Sequence, residues 1–111
     1  MPLLTKVTCT WLDQQFSMRS LNISQSGMLL QPSIDLKVGS EVALDFEIAE
    51  VRASLNAIAR VVRTEGTERI GVEFIGLAQE HHNAIQLYVM GHLKNLTPAR
   101  DSSSIGLRRL F

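Results

Sequence analysis

The stretch Val42-Ala43-Leu44-Asp45-Phe46-Glu47-Ile48 decides the fold class. Val42, Leu44, Phe46 and Ile48 fall on one side of an extended chain, and Ala43, Asp45 and Glu47 on the other. That period of two belongs to a strand with one buried face and one wetted face. The rhythm continues downstream. Val51, Ala53, Leu55, Ala57, Ala59 and Val61 line one face of a long strand that ends at Arg63. Thr64 to Glu68, centred on Gly66, reads as a hairpin loop, and Arg69 to Ile75 returns with Ile70, Val72 and Phe74 inward.

Upstream, Leu3, Val7, Cys9 and Trp11 share one parity, while Lys6, Thr8 and Thr10 take the other. Leu12 to Gln15 reads as a hairpin turn. Phe16 to Ile23 forms the next strand, but its apolar phase changes: Phe16 and Met18 are even, Leu21 and Ile23 odd. A bulge near Arg19 or Ser20 reconciles the two. Ser24 to Gly27 is a polar turn, Met28 to Leu30 a short strand, and Pro32 to Gly39 a loop. The period then switches. Ala84, Ile85, Tyr88 and Val89 lie on one stripe of a helix expected over about Leu77 to Leu93. Residues 1–94 thus form one mainly β unit with a C-terminal helix. Residues 95–111, with Pro98, Ser102, Ser103 and Ser104, read as a flexible tail with a basic and apolar end, Leu107-Arg108-Arg109-Leu110-Phe111.

Bulk properties narrow the function. The chain has 111 residues, about one domain's worth. Its formal net charge is zero, which gives no general attraction to a nucleic-acid polymer or an acidic membrane. Aromatic residues are only 5% of the chain, too few for a stacking platform along single strands. A single cysteine, Cys9, rules out an internal disulfide and reads as a small core residue, which fits a cytoplasmic protein. Met1 to Thr10 is too short and polar for a signal peptide, and no apolar run approaches the roughly 20 residues of a membrane helix.

No catalytic constellation emerges. Ser24 and Ser26 have no nucleophile-elbow context. His81 and His82 are adjacent, so on a helix they point about 100° apart and cannot share one metal ion. His81 reads as a partly buried helix residue, and Asp45 and Glu47 as a solvated strand face. The chain is therefore expected to be neither an enzyme nor a metal or cofactor protein.

The segment Leu21-Asn22-Ile23-Ser24-Gln25-Ser26-Gly27-Met28-Leu29-Leu30 carries the most information. Asn, Ser and Gly are ordinary turn residues, and Gly27 alone is explained by a positive φ. Its setting adds weight: it lies between two strands of a six-strand pattern that ends in Arg60-Val61-Val62-Arg63, a short loop, Arg69-Ile70-Gly71-Val72-Glu73-Phe74, and one helix. This order and spacing, from about Leu3 to Leu93, resembles the PilZ family, whose Asp/Asn-x-Ser-x-x-Gly motif matches Asn22, Ser24 and Gly27.

The resemblance implies a six-stranded antiparallel β-barrel with one C-terminal α-helix. It also implies a bacterial signalling module for cyclic di-GMP, a doubly anionic dinucleotide, in control of motility or exopolysaccharide. Asn22 would accept from a guanine N–H, Ser24 would bond a phosphate or a base edge, and Gly27 would allow close approach of backbone and ligand. Nucleotide-binding members also carry an Arg-x-x-x-Arg motif before the first strand. Here that strand begins at about Leu3, behind only Met1 and Pro2. The expectation is therefore either a chain cut just after the arginines or a member that works through a protein partner. Arg19 and Arg60, with Arg63 and Arg69, are the candidate substitutes, though each reads more readily as a solvated strand arginine.

Overall fold

The computed structural model describes residues 1–96. Six strands, β1 (Lys6–Trp11), β2 (Gln14–Ile23), β3 (Gly27–Gln31), β4 (Glu41–Ile48), β5 (Ala53–Glu65) and β6 (Arg69–Leu77), precede one helix, α1 (Gln79–Leu96). The strands close in the order β1-β2-β3-β6-β5-β4, every neighbouring pair antiparallel. A barrel of this size has an interior filled by side chains. Val7, Cys9, Ile23, Leu30, Leu44, Ile48, Ala59 and Val61 are all fully enclosed, so any ligand is confined to the outside.

The alternation in β4 and β5 is realised as read. Val42, Leu44, Phe46 and Ile48 are buried, as are Leu55, Ala57, Ala59 and Val61. Helix α1 lays Ile85 and Tyr88 over the core, with Ala84 and Val89 half-buried beside them. The Tyr88 hydroxyl donates to the Pro2 carbonyl. Burial, and secondarily the Glu50 carboxylate, push its pKa upward, so it stays a donor.

Besides shifts of strand ends (β1 starts at Lys6, β2 at Gln14, and β5 runs to Glu65), three details differ from the sequence reading. First, Val51 belongs to a short 3-10 turn, Ala49–Val51, that separates β4 from β5. Second, β6 runs on to Leu77, so α1 starts at Gln79, and it extends to Leu96, beyond the expected end at Leu93. The rest of the proposed tail lies outside the described residues. Third, the bulge in β2 falls later than expected. Ser20 pairs with Leu30 and Asn22 with Leu29, which makes Leu21 the extra residue. Ser20 keeps the inward phase of Met18, and Leu21 is pushed half out.

Ser20 is the buried polar residue that the alternation hid. Its hydroxyl accepts from the Thr5 N–H at 3.0 Å and donates to the Leu3 carbonyl at 2.5 Å. It thereby does the work of a backbone carbonyl at the point where the ladder is broken. Leu3 N–H in turn donates to the Leu21 carbonyl at 3.2 Å, and Ile23 N–H to the Met1 carbonyl at 2.8 Å. Regular pairing of β1 starts only at Lys6, but the segment ahead of it is carried along β2 by these bonds.

Trp11 pairs with Gln14, leaving a two-residue turn in which Leu12 and Asp13 have φ of 51° and 64°. Positive φ at both central residues matches the twist of a hairpin, but it is a conformation that leucine resists and asparagine tolerates. Leu12 is also exposed, so nothing compensates. Leu12→Asn is expected to stabilise the fold by about 1 kcal/mol, a rise of roughly 4–8 °C in thermal unfolding for a domain of this size. Ser20→Ala strands one donor and one acceptor and is expected to cost about 1–3 kcal/mol in chemical denaturation.

Candidate functional site

Outside the barrel, the register aligns one residue from each of four strands. Asn22 of β2 pairs with Leu29 of β3, Leu29 with Gly71 of β6, and Gly71 with Arg63 of β5. This row is the floor and wall of a groove of about 370 Å³ that also takes in Ser24, Ser26 and Glu73. Asn22, Ser24 and Gly27, named from the motif, are thus brought together, and Arg63 joins them from the far side.

Two bulges position the row. The extra residue Leu21 turns Asn22 outward. In β5, Val61 pairs with Val72 and Arg63 with Gly71, so Val62 is the extra residue. By simple alternation from Val61, Arg63 would point into the core. The bulge re-aims it to the surface. Its side chain then crosses Gly71, where an added Cβ would meet the arginine Cγ at 3.0 Å and Nε at 3.1 Å. The two consecutive valines inside an alternating strand are the sequence signal for this bulge.

The motif loop is held by its own serines. Ser24 N–H donates to the Gly27 carbonyl at 2.9 Å, and the Ser26 N–H to the Ser24 hydroxyl at 3.3 Å. Ser26 carbonyl accepts from Phe74 N–H at 2.8 Å, tying the loop to β6. Both hydroxyls remain exposed and lie 3.3 Å apart. Gly27 does not have the positive φ expected from the sequence, and its structural reason is packing. A Cβ there would sit 2.1 Å from the Val72 carbonyl oxygen, so close strand packing requires glycine.

The other arginines are placed elsewhere. Arg60 is bound to Glu41 at 3.2 Å, and Arg19 lies opposite Lys6 and Gln31. Arg69 approaches Glu65 at 3.7 Å. Arg63 also contacts Glu65, at 3.4 Å, in an exposed pair that water screens strongly. Among the described residues no group of three or more His, Cys, Asp or Glu side chains is placed to hold a metal ion. Burial raises the Cys9 thiol to about 11, so it is no thiolate nucleophile at neutral pH. No helix among the described residues is long and apolar enough to cross a membrane.

A scan of family models places a PilZ domain over residues 1–91. The chain belongs to the PilZ family. Among solved structures, it is similar to the PilZ domain of CeSA from a cellulose-synthesizing bacterium, with a TM-score of 0.62 and 14% identity over 84% of this chain and 96% of that one. It is also similar to the Borreliella burgdorferi PlzA protein in complex with c-di-GMP, with a TM-score of 0.59 and 14% identity over 75% of this chain. The match covers 31% of the PlzA chain, so this chain corresponds to about a third of that protein. A search of curated proteins returned no match.

The glycines separate fold from site. Gly27→Ala is expected to force β3 away from β6 and to cost about 3 kcal/mol in denaturant melts. Gly91→Ala, where an added Cβ meets nothing within 4 Å, is expected to stabilise α1 by about 1 kcal/mol.

Proposed function

We propose that this PilZ domain is a non-enzymatic, cytoplasmic signalling module of the cyclic di-GMP network, with control of motility or exopolysaccharide as its output. The observation that carries this reading is the row from Asn22 to Arg63 across four strands. It sets an amide and two serine hydroxyls against a guanidinium over one groove. The amide oxygen accepts from a guanine N–H, the hydroxyls bond phosphate oxygens, and Arg63 supplies the charge-assisted bond that a dianion rewards. The complex of the PlzA protein with c-di-GMP lends support, because the two barrels are alike.

A second reading rests on the electrostatics. Arg63 is the one arginine that lines the groove among the described residues, and Glu65 already engages it. This favours a PilZ adaptor that works through a protein partner and not through the nucleotide.

Isothermal titration of cyclic di-GMP into the full chain decides between the two. Under the first reading the chain binds at micromolar or tighter. Asn22→Ala with Ser24→Ala abolishes the heat, and Arg63→Ala weakens binding by roughly 10- to 100-fold, the equivalent of one charged hydrogen bond. Absence of heat at high micromolar ligand overturns the first reading and leaves the adaptor.

A further inference from the structure

The groove of about 370 Å³ lies near the lower end of the range for small-molecule sites, and a dinucleotide has two bases to seat. A second groove, of about 480 Å³, adjoins it and shares Ser26 and Glu73 with it. The second groove follows β6 past the point where its neighbour ends. β3 pairs with β6 only as far as Gly27 opposite Glu73. Phe74 is then tied to the Ser26 carbonyl, and beyond it Ile75 to Leu77 form an open strand edge on that side. Ile75 is the extra residue of another bulge, because Ile58 pairs with Gly76 and Ala59 with Phe74. It is 41% exposed, which gives this edge an apolar surface.

Two side chains on this second groove have no assigned work. The Glu73 carboxylate has no ion-pair or hydrogen-bond partner among the described residues, although its cross-strand neighbour Arg60 is close. The His82 imidazole, which lines the same groove, is likewise without one, whereas the adjacent His81 ring lies 3.2 Å from the Asn56 carbonyl. Glu73 lines both grooves, and His82 lines the second.

We infer that the second groove is a guanine subsite, with Glu73 reading the base edge and His82 covering its face. The inference rests on the nucleotide-binding reading above. Guanine presents two N–H donors side by side on its Watson–Crick edge, and an ionised carboxylate accepts both. Adenine and the pyrimidines do not offer that pair. The imidazole ring and the Ile75 side chain supply the planar and apolar surfaces between which a base is held. A carboxylate at this place repels a phosphate, so the subsite takes a base and leaves the phosphates to Ser24, Ser26 and Arg63.

The test is titration of cyclic di-GMP into the full chain and three variants, Glu73→Gln, His82→Ala and His82→Phe. Both positions are exposed, so folding is expected to survive, and circular dichroism checks it. Glu73→Gln and His82→Ala are each expected to weaken binding about tenfold. His82→Phe, which keeps a stacking face, is expected to stay within about twofold of the parent. Binding by the parent that is lost in the Asn22→Ala, Ser24→Ala variant but unchanged in Glu73→Gln or His82→Ala overturns the subsite and leaves the nucleotide reading standing. No binding by the parent chain overturns both.

Discussion

The Ser20 hydroxyl is the joint from which the grooved half of the barrel hangs. Where β2 bulges at Leu21, the backbone of β1 loses its regular partner, and two polar groups of the opposing segment would be left dry. A buried donor or acceptor without a partner is costly. Ser20 removes that cost by accepting from Thr5 N–H and donating to the Leu3 carbonyl with one oxygen. The consequence extends outward. With the bulge tolerated, Asn22 turns to the surface while Ile23 returns to the core, and the motif loop begins at the right place. A chain without the bulge would present the opposite face from Leu21 onward, because a slip of one residue inverts every side chain in a strand.

Around the groove the same device recurs. Leu21, Val62 and Ile75 are each the extra residue of a bulge, on β2, β5 and β6. The first two interrupt alternation at the row from Asn22 to Arg63, and Ile75 does so beside the adjoining second groove. The two glycines of the row's neighbourhood then act in different ways. Gly27 lets the β3 backbone approach β6, and Gly71 clears a path for the Arg63 side chain to lie across the sheet. The core stays regular on the opposite side, where β4 pairs with β5 over eight consecutive residue pairs. Irregularity is therefore concentrated where surface chemistry is displayed.

This explains what was legible in the sequence. The strands that obey alternation, β4 and β5 up to Val61, could be read residue by residue, since burial alone sets their pattern. The PilZ resemblance and the grouping of Asn22, Ser24 and Gly27 were legible from order and spacing. The bulge in β2 was visible as a phase change, but its position was not: a serine inside the core carries no apolar signal, so Leu21 was read as the inward residue. The arginines could not be ranked for the same physical reason. Arg19, Arg60, Arg63 and Arg69 are alike in one dimension. Only the Val62 bulge, the bare Cα of Gly71 and the Glu41 contact that occupies Arg60 distinguish them.

A filled interior also constrains how such a domain can signal. With Leu30, Leu44, Ile48 and Ile85 fully enclosed, no ligand enters the barrel, and a close-packed core resists graded deformation. The row from Asn22 to Arg63 therefore lies over a rigid support. The groove lies beside the segment from Met1 to Leu3, which bonds β2 on one side and receives the Tyr88 hydroxyl of α1 on the other. Pro2 bridges to Asn22 through the sheet and to Tyr88 through its carbonyl, so the site and the helix share one strand of support. The exposed side chains Leu87 and Met90 lie on that helix. Pro2 thus stands one backbone bridge from Asn22 and one hydrogen bond from α1, a connection that does not pass through the core.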